Sequence, residues 1–98
     1  MRFNNFEIRK PVFIGKEPDD AYYKYHFVVV KHNDNGSCFV IAHLDYNHAE
    51  CAFEFSSVGT RYLQYREDGL EEWLLKWCEL KQIEFNYENN PEKYYKEE

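Results

Sequence analysis

The stretch YYKYHFVVVKHNDNGSCFVIAHLDY, residues 22–46, decides the fold. Its first part, Tyr22 to Lys31, is rich in aromatic and β-branched residues, which suit a pleated, half-buried surface and predict a strand. Asn35-Gly36 follows, a dipeptide that accepts the left-handed torsions of a type I′ hairpin turn. Ser37 to Tyr46 reads as the return strand. With Asn35 and Gly36 as the loop residues, Phe27 faces Leu44, Val29 faces Ala42 and Tyr25 faces Tyr46. A slip of one residue would send all of these to the other face, so their agreement is the argument for the register.

Working outward, Asn47-His48 predicts a second tight turn into a strand from Glu50 to Ser56. That register sets Leu44 against Cys51, Ala42 against Phe53 and Val40 against Phe55, so one core face runs across three strands. Arg61 to Tyr65, after Val58-Gly59-Thr60, is read as a fourth meander strand, with a helical turn as the alternative. On the amino-terminal side Phe6, Ile8, Val12 and Ile14 alternate. Pro11 has no N–H to donate, so Phe6 to Ile14 reads as an edge strand or a pair of short ones, with a loop over residues 15–20.

Asp68-Gly69-Leu70-Glu71 has the spacing of a capping box, and Leu70, Trp73, Leu74, Trp77 and Cys78 recur at helical spacing to about Gln82. Ile83, Phe85 and Tyr87 alternate and predict a last strand. Asn90-Pro91 resembles a cap and first helical residue, in a segment too short to hold a helix alone. The expected architecture is α+β: a four- to five-stranded antiparallel meander packed against one principal C-terminal helix. It forms a single domain over residues 1–98, whose tail 89–98 is frayed or a short helix.

Aromatic residues make up 19% of the chain, enough large rings to fill the core of a small domain and to exclude disorder. The net charge of −6, from 18 acidic and 12 basic side chains, opposes direct binding to a phosphate backbone or an anionic membrane. Cys38, Cys51 and Cys78 are scattered and form no CxxC pair. With no apolar signal core in Met1-Arg2-Phe3-Asn4-Asn5 and no long apolar run, they read as reduced thiols of a soluble, cytoplasmic protein.

The hairpin register places His26 opposite Asp45 and His43 diagonal to His26, and the second turn brings Glu50 opposite Asp45. Imidazoles and carboxylates are the groups of acid–base catalysis and of borderline divalent metals. His26, His43 and Asp45 are therefore the catalytic candidates, and the same residues with Glu50 the metal candidates. The competing reading is a set of cross-strand pairs stabilising an exposed sheet face. Cys38, Cys51 and Cys78 all fall on the core side, and no nucleophile elbow or glycine-rich phosphate loop is present, so neither a catalytic assignment nor a cofactor follows.

Tyr22, Phe39 and Ile41 fall on the outer sheet face with Val28 and Val30, a face too apolar for solvent alone. Either a second layer covers it or it is an interface. Leu75 lies off the helical stripe, and Tyr94 and Tyr95 with Glu92, Glu97 and Glu98 make an acidic, tyrosine-rich end. These are the partner-binding candidates. The expected function is a small protein-binding module or inhibitor, such as a phage or mobile-element accessory protein that occludes a basic surface of a larger nucleic-acid-acting enzyme. A homo-oligomer is compatible with the same face. The alternatives are a metal-dependent or His/Asp acid–base hydrolase, and a single-stranded nucleic-acid binder using exposed rings.

Overall fold

The computed structural model describes residues 1–13, 15 and 19–94. Chain order and sheet order coincide in it. Strands β1 (Arg2–Phe3), β2 (Phe6–Arg9), β3 (His26–His32), β4 (Cys38–Asn47) and β5 (Ala52–Ser57) form one antiparallel meander. Helix α1 (Asp20–Tyr25) precedes β3. Helices α2 (Arg61–Tyr65), α3 (Leu70–Asn89) and α4 (Pro91–Tyr94) follow the sheet. The architecture is the expected α+β arrangement with α3 as its principal helix. Leu70, Leu74 and Phe85 of α3 are buried against Phe6, Ile8, Phe27, Val29, Leu44 and Tyr46 of the sheet.

The central hairpin shows how local chemistry reset the predicted register. The Gly36 N–H donates to the Asn33 carbonyl at 3.1 Å, and the Asn33 N–H donates to the Ser37 carbonyl at 2.8 Å. Asp34, Asn35 and Gly36 therefore form a three-residue loop. Only Gly36 of the three has a positive φ, at 88°, so the turn is the bulged type and not type I′. The extra loop residue is compensated by a bulge in β4: Val29 faces Ala42, Val30 faces Val40, and Ile41 is left over. Beyond it, towards His26, the predicted pairs Phe27–Leu44 and Val29–Ala42 hold. Between the bulge and the turn the faces are exchanged. Cys38, expected inside, is exposed, while Phe39 and Ile41, expected outside, turn inward. Ile41 is fully buried in the core, and the half-buried Phe39 ring meets Tyr65 at 5.0 Å.

Gly36 has nothing within 4 Å of where a Cβ would stand, so its requirement is purely torsional. Gly36→Val is expected to cost more than ~1 kcal/mol, because a β-branched residue is poorly tolerated at positive φ. An unchanged chemical-denaturation midpoint would remove this turn assignment.

The second turn is longer than predicted. Asn47 Oδ1 accepts from the N–H groups of Ala49 at 2.8 Å and Glu50 at 3.0 Å, and Cys51 completes the turn at φ 54°. Residues 48–51 become loop, Leu44 faces Phe55, Tyr46 faces Phe53 and Asp45 faces Glu54. The displacement is by an even number of residues, so Phe53 and Phe55 stay on the core side. Glu50 leaves Asp45 for the turn, and Cys51 leaves the strand.

Four further segments depart from the sequence reading. Residues 22–25 are helical because the Asp19 carboxylate caps the Tyr22 N–H at 2.7 Å. At the other end of α1 the Lys10 ammonium donates to the carbonyls of Tyr23 at 2.6 Å and Lys24 at 2.7 Å, and lies 3.7 Å over the Phe27 ring. Burial, with Lys81 and Lys24 nearby, pushes that ammonium down to about 8. Arg61–Tyr65 is a helical turn that buries Tyr62. Residues 83–89 continue α3, which turns Phe85 inward and leaves Ile83 and Tyr87 exposed. The cap of α3 is Gly69 at φ 86° with no side-chain bond, so Asp68 forms no capping box. At the amino terminus the pair of short strands is Arg2–Phe3 and Phe6–Arg9, ending before Pro11. Ile14 lies outside the described residues. Pro91 opens α4 as expected.

The histidine cleft and the candidate binding groove

On the outer sheet face Val28 and Val30 are buried, so part of this face is covered. Phe13 and Tyr22 stand on that side, with ring centroids 6.0 Å apart. Beneath them lies a cavity of about 240 Å³ that includes Tyr22, His26, Val40, His43 and Asp45 in its lining. The predicted His26–Asp45 pairing is present, with His26 Nδ1 2.5 Å from Asp45 Oδ1. The Tyr22 ring stacks on His26 with centroids 3.8 Å apart and planes within 16°. Asp45 therefore orients the imidazole while Tyr22 covers one of its faces. His43 faces Val28 in the ladder, is exposed, and opens onto the same cavity.

This cleft has an oriented acid–base pair, but among the described residues its lining contains no serine, threonine or cysteine to act as a protein nucleophile. Among the described residues no group of three or more His, Cys, Asp or Glu side chains is placed to hold a metal ion. Farther along the same face Glu7 and His32 pair at 2.8 Å, and this hydrogen bond holds the Glu7 carboxyl below its ordinary range.

The second feature lies on the helix side of the sheet, where β5 runs beside α3. Glu71, Leu75, Cys78 and Gln82 recur along α3 at helical spacing. The first three line a groove of about 230 Å³ with Phe53, Phe55 and Tyr62. Gln82 reaches across to accept the Phe53 N–H at 3.3 Å. Phe55 is 46% exposed and Leu75 62% exposed, so the groove carries two large apolar side chains in contact with solvent. Among the described residues its charged lining is Glu54 and Glu71, with no Lys or Arg. Burial raises the Tyr62 phenol above its ordinary pKa, with Glu71 adding to the effect, and burial pushes the Cys78 thiol up to about 11. Both are protonated and unreactive at neutral pH.

Of the predicted partner-binding residues, Tyr22 and Leu75 are exposed on opposite layers, one over the cleft and one in the groove. Ile41 has no exposed surface and Phe39 packs on the core, both because the bulge at Ile41 exchanged the faces. Glu92 is exposed in α4. The backbone of Tyr94 belongs to α4; its side chain, with Tyr95, Glu97 and Glu98, lies outside the described residues. Phe55 is the groove residue that sequence reasoning missed, since alternation placed it correctly on the core side without showing that the core ends beside it. Leu75, off the main helical stripe, was the available signal.

No protein-family model, curated protein or solved structure matches this chain. Among the described residues no helix is long and apolar enough to cross a membrane.

Proposed function

We propose that this domain is a protein-binding module that docks through the β5–α3 groove onto a basic surface of a partner. The observation that carries this reading is the apolar groove with Phe55 and Leu75 exposed and, among the described residues, glutamates as its only charged lining. Apolar anchors in a concave site supply binding energy, while acidic groups at the rim steer encounter and reject acidic competitors. The inhibitor form of the reading has the acidic domain covering a basic nucleic-acid-binding surface. The net charge of −6 supports it.

The test is affinity capture from the native host with the wild-type chain and with the Phe55→Ser, Leu75→Ser double variant. The double variant is expected to lose the captured partner by at least roughly tenfold, a modest effect for two anchor positions. Its circular dichroism spectrum should remain native-like, because both side chains are already half exposed. Undiminished capture by the variant would sink the groove as the binding site.

The oriented His26–Asp45 pair favours a second reading, acid–base hydrolysis in the outer cleft. Tyr22, stacked on His26 and covering one face of the imidazole, weighs against it.

A further inference from the structure

The groove is bounded on one side by a sheet edge, and the hydrogen bonds of that edge specify how it can be filled. Strand β5 ends the sheet, and among the described residues no strand pairs with it other than β4. In an antiparallel ladder successive residues point their N–H and C=O alternately towards and away from the neighbour. Just beyond β5 the Val58 N–H donates to the Ile41 carbonyl of β4 at 2.9 Å, so the even-numbered residues face β4. The Phe53 N–H accordingly faces outward, where it is satisfied by Gln82 Oε1 at 3.3 Å. The chain thus places a side-chain carbonyl where an added strand would place a backbone carbonyl. Phe55 is the next outward-facing residue, and its ring stands at the groove.

Resting on the protein-binding reading, we infer that the occupant is an extended segment of a partner protein that adds to β5 as a further strand. The segment has apolar residues at alternate positions and Lys or Arg between them. A strand opposite Phe55 exchanges N–H and C=O groups with it and directs every second side chain onto Phe55, Leu74 and Leu75. The intervening side chains stand on the outer face, beside Glu54, whose carboxylate favours a cation over a carboxylate there. A helix laid in the same groove has its own backbone groups committed internally and leaves the Phe55 N–H and C=O without partners. A second copy of this chain, paired edge to edge, brings two acidic rims together and is disfavoured by like charge.

The full chain is titrated with a nine-residue peptide alternating Lys and Val, with the same peptide N-methylated along either edge, and with a Glu/Val counterpart. The Lys/Val peptide is expected to bind and to slow hydrogen exchange of the Phe55 amide at least roughly tenfold. N-methylation of the edge facing β5 should weaken binding by roughly tenfold or more, since it removes backbone hydrogen bonds and leaves the side chains in place. The Glu/Val peptide should bind at least roughly tenfold more weakly. Equal binding of both N-methylated peptides overturns strand addition. So does a failure of all the peptides while the Phe55→Ser, Leu75→Ser variant still loses its captured partner; in both cases the groove remains the binding site. No peptide binding together with undiminished capture by that variant rejects the groove as well. A concentration-dependent dimer abolished by Phe55→Ser would assign the edge to a second copy instead.

Discussion

Phe85→Ala is expected to lower stability by about 3–5 kcal/mol, the range for truncating a buried aromatic residue. Phe85 is 3% exposed and stands where α3 crosses the sheet. Its ring meets those of Tyr25 at 4.9 Å, Tyr46 at 5.3 Å, Phe53 at 5.9 Å and Phe27 at 6.3 Å between centroids. Removing it opens a void that four rings from three elements and a helix end cannot all collapse into. The next residue, Asn86, accepts the Tyr46 hydroxyl and donates to the Cys51 carbonyl at 3.1 Å, which pins the helix over the sheet and limits relaxation. For a small domain the loss is a large share of the total. Chemical denaturation of wild type and variant measures it. A cost below about 1 kcal/mol would show that α3 does not dock through Phe85.

Gly69→Val is expected to cost about 2–4 kcal/mol, from two penalties that act together. Gly69 caps α3 at φ 86°, where a side chain costs about 1–2 kcal/mol and a β-branched one more. Unlike Gly36, it also lacks room: a Cβ would stand 3.0 Å from Phe3 Cζ, whose ring stacks on Trp73 at 5.5 Å. Displacing a packed ring adds about 1–3 kcal/mol. Phe3 belongs to the two-residue edge strand β1, so the same substitution should also raise amide exchange across the β1–β2 pair. The control is Gly36→Val, which has the torsional penalty alone. Equal costs at the two glycines would mean that Phe3 moves aside freely.

The sheet was legible where side-chain alternation and turn chemistry agreed, as at Phe27–Leu44, Val29–Ala42 and His26–Asp45. It was misread where one residue changed parity. Ile41 alone exchanged the faces of Cys38 and Phe39, and no local pattern marks a bulge inside an apolar run such as 39–42. Residues 22–25 have strand-like composition, but the capping bond from Asp19 and the Lys10 contacts with the Tyr23 and Lys24 carbonyls hold them helical. The alternation of Ile83, Phe85 and Tyr87 was ambiguous because Phe85 also lies on the helical face of Leu70, Leu74 and Cys78. The His26–Asp45 contact followed from register alone. The groove did not, since it depends on where β5 ends the sheet and on how far α3 stands from it.

The coincidence of chain order and sheet order has a kinetic consequence. Every ladder joins consecutive strands, and the β3–β4 and β4–β5 pairings close short loops; hairpins of this kind form in about 1–10 μs. The contacts that span the chain are those of α3 and the segment before it, such as Phe3 on Trp73 and the Asn4 amide donating to Glu67 at 2.6 Å. Such long-separation contacts are entropically the last to be rewarded. If the rate-limiting barrier is crossed before α3 settles, the free energy stored around Phe85 is absent from the transition state. The deficit of Phe85→Ala then falls on the unfolding rate and leaves the folding rate nearly unchanged. The ring cluster under the helix would then set the lifetime of the native state, and the meander the speed with which it is reached.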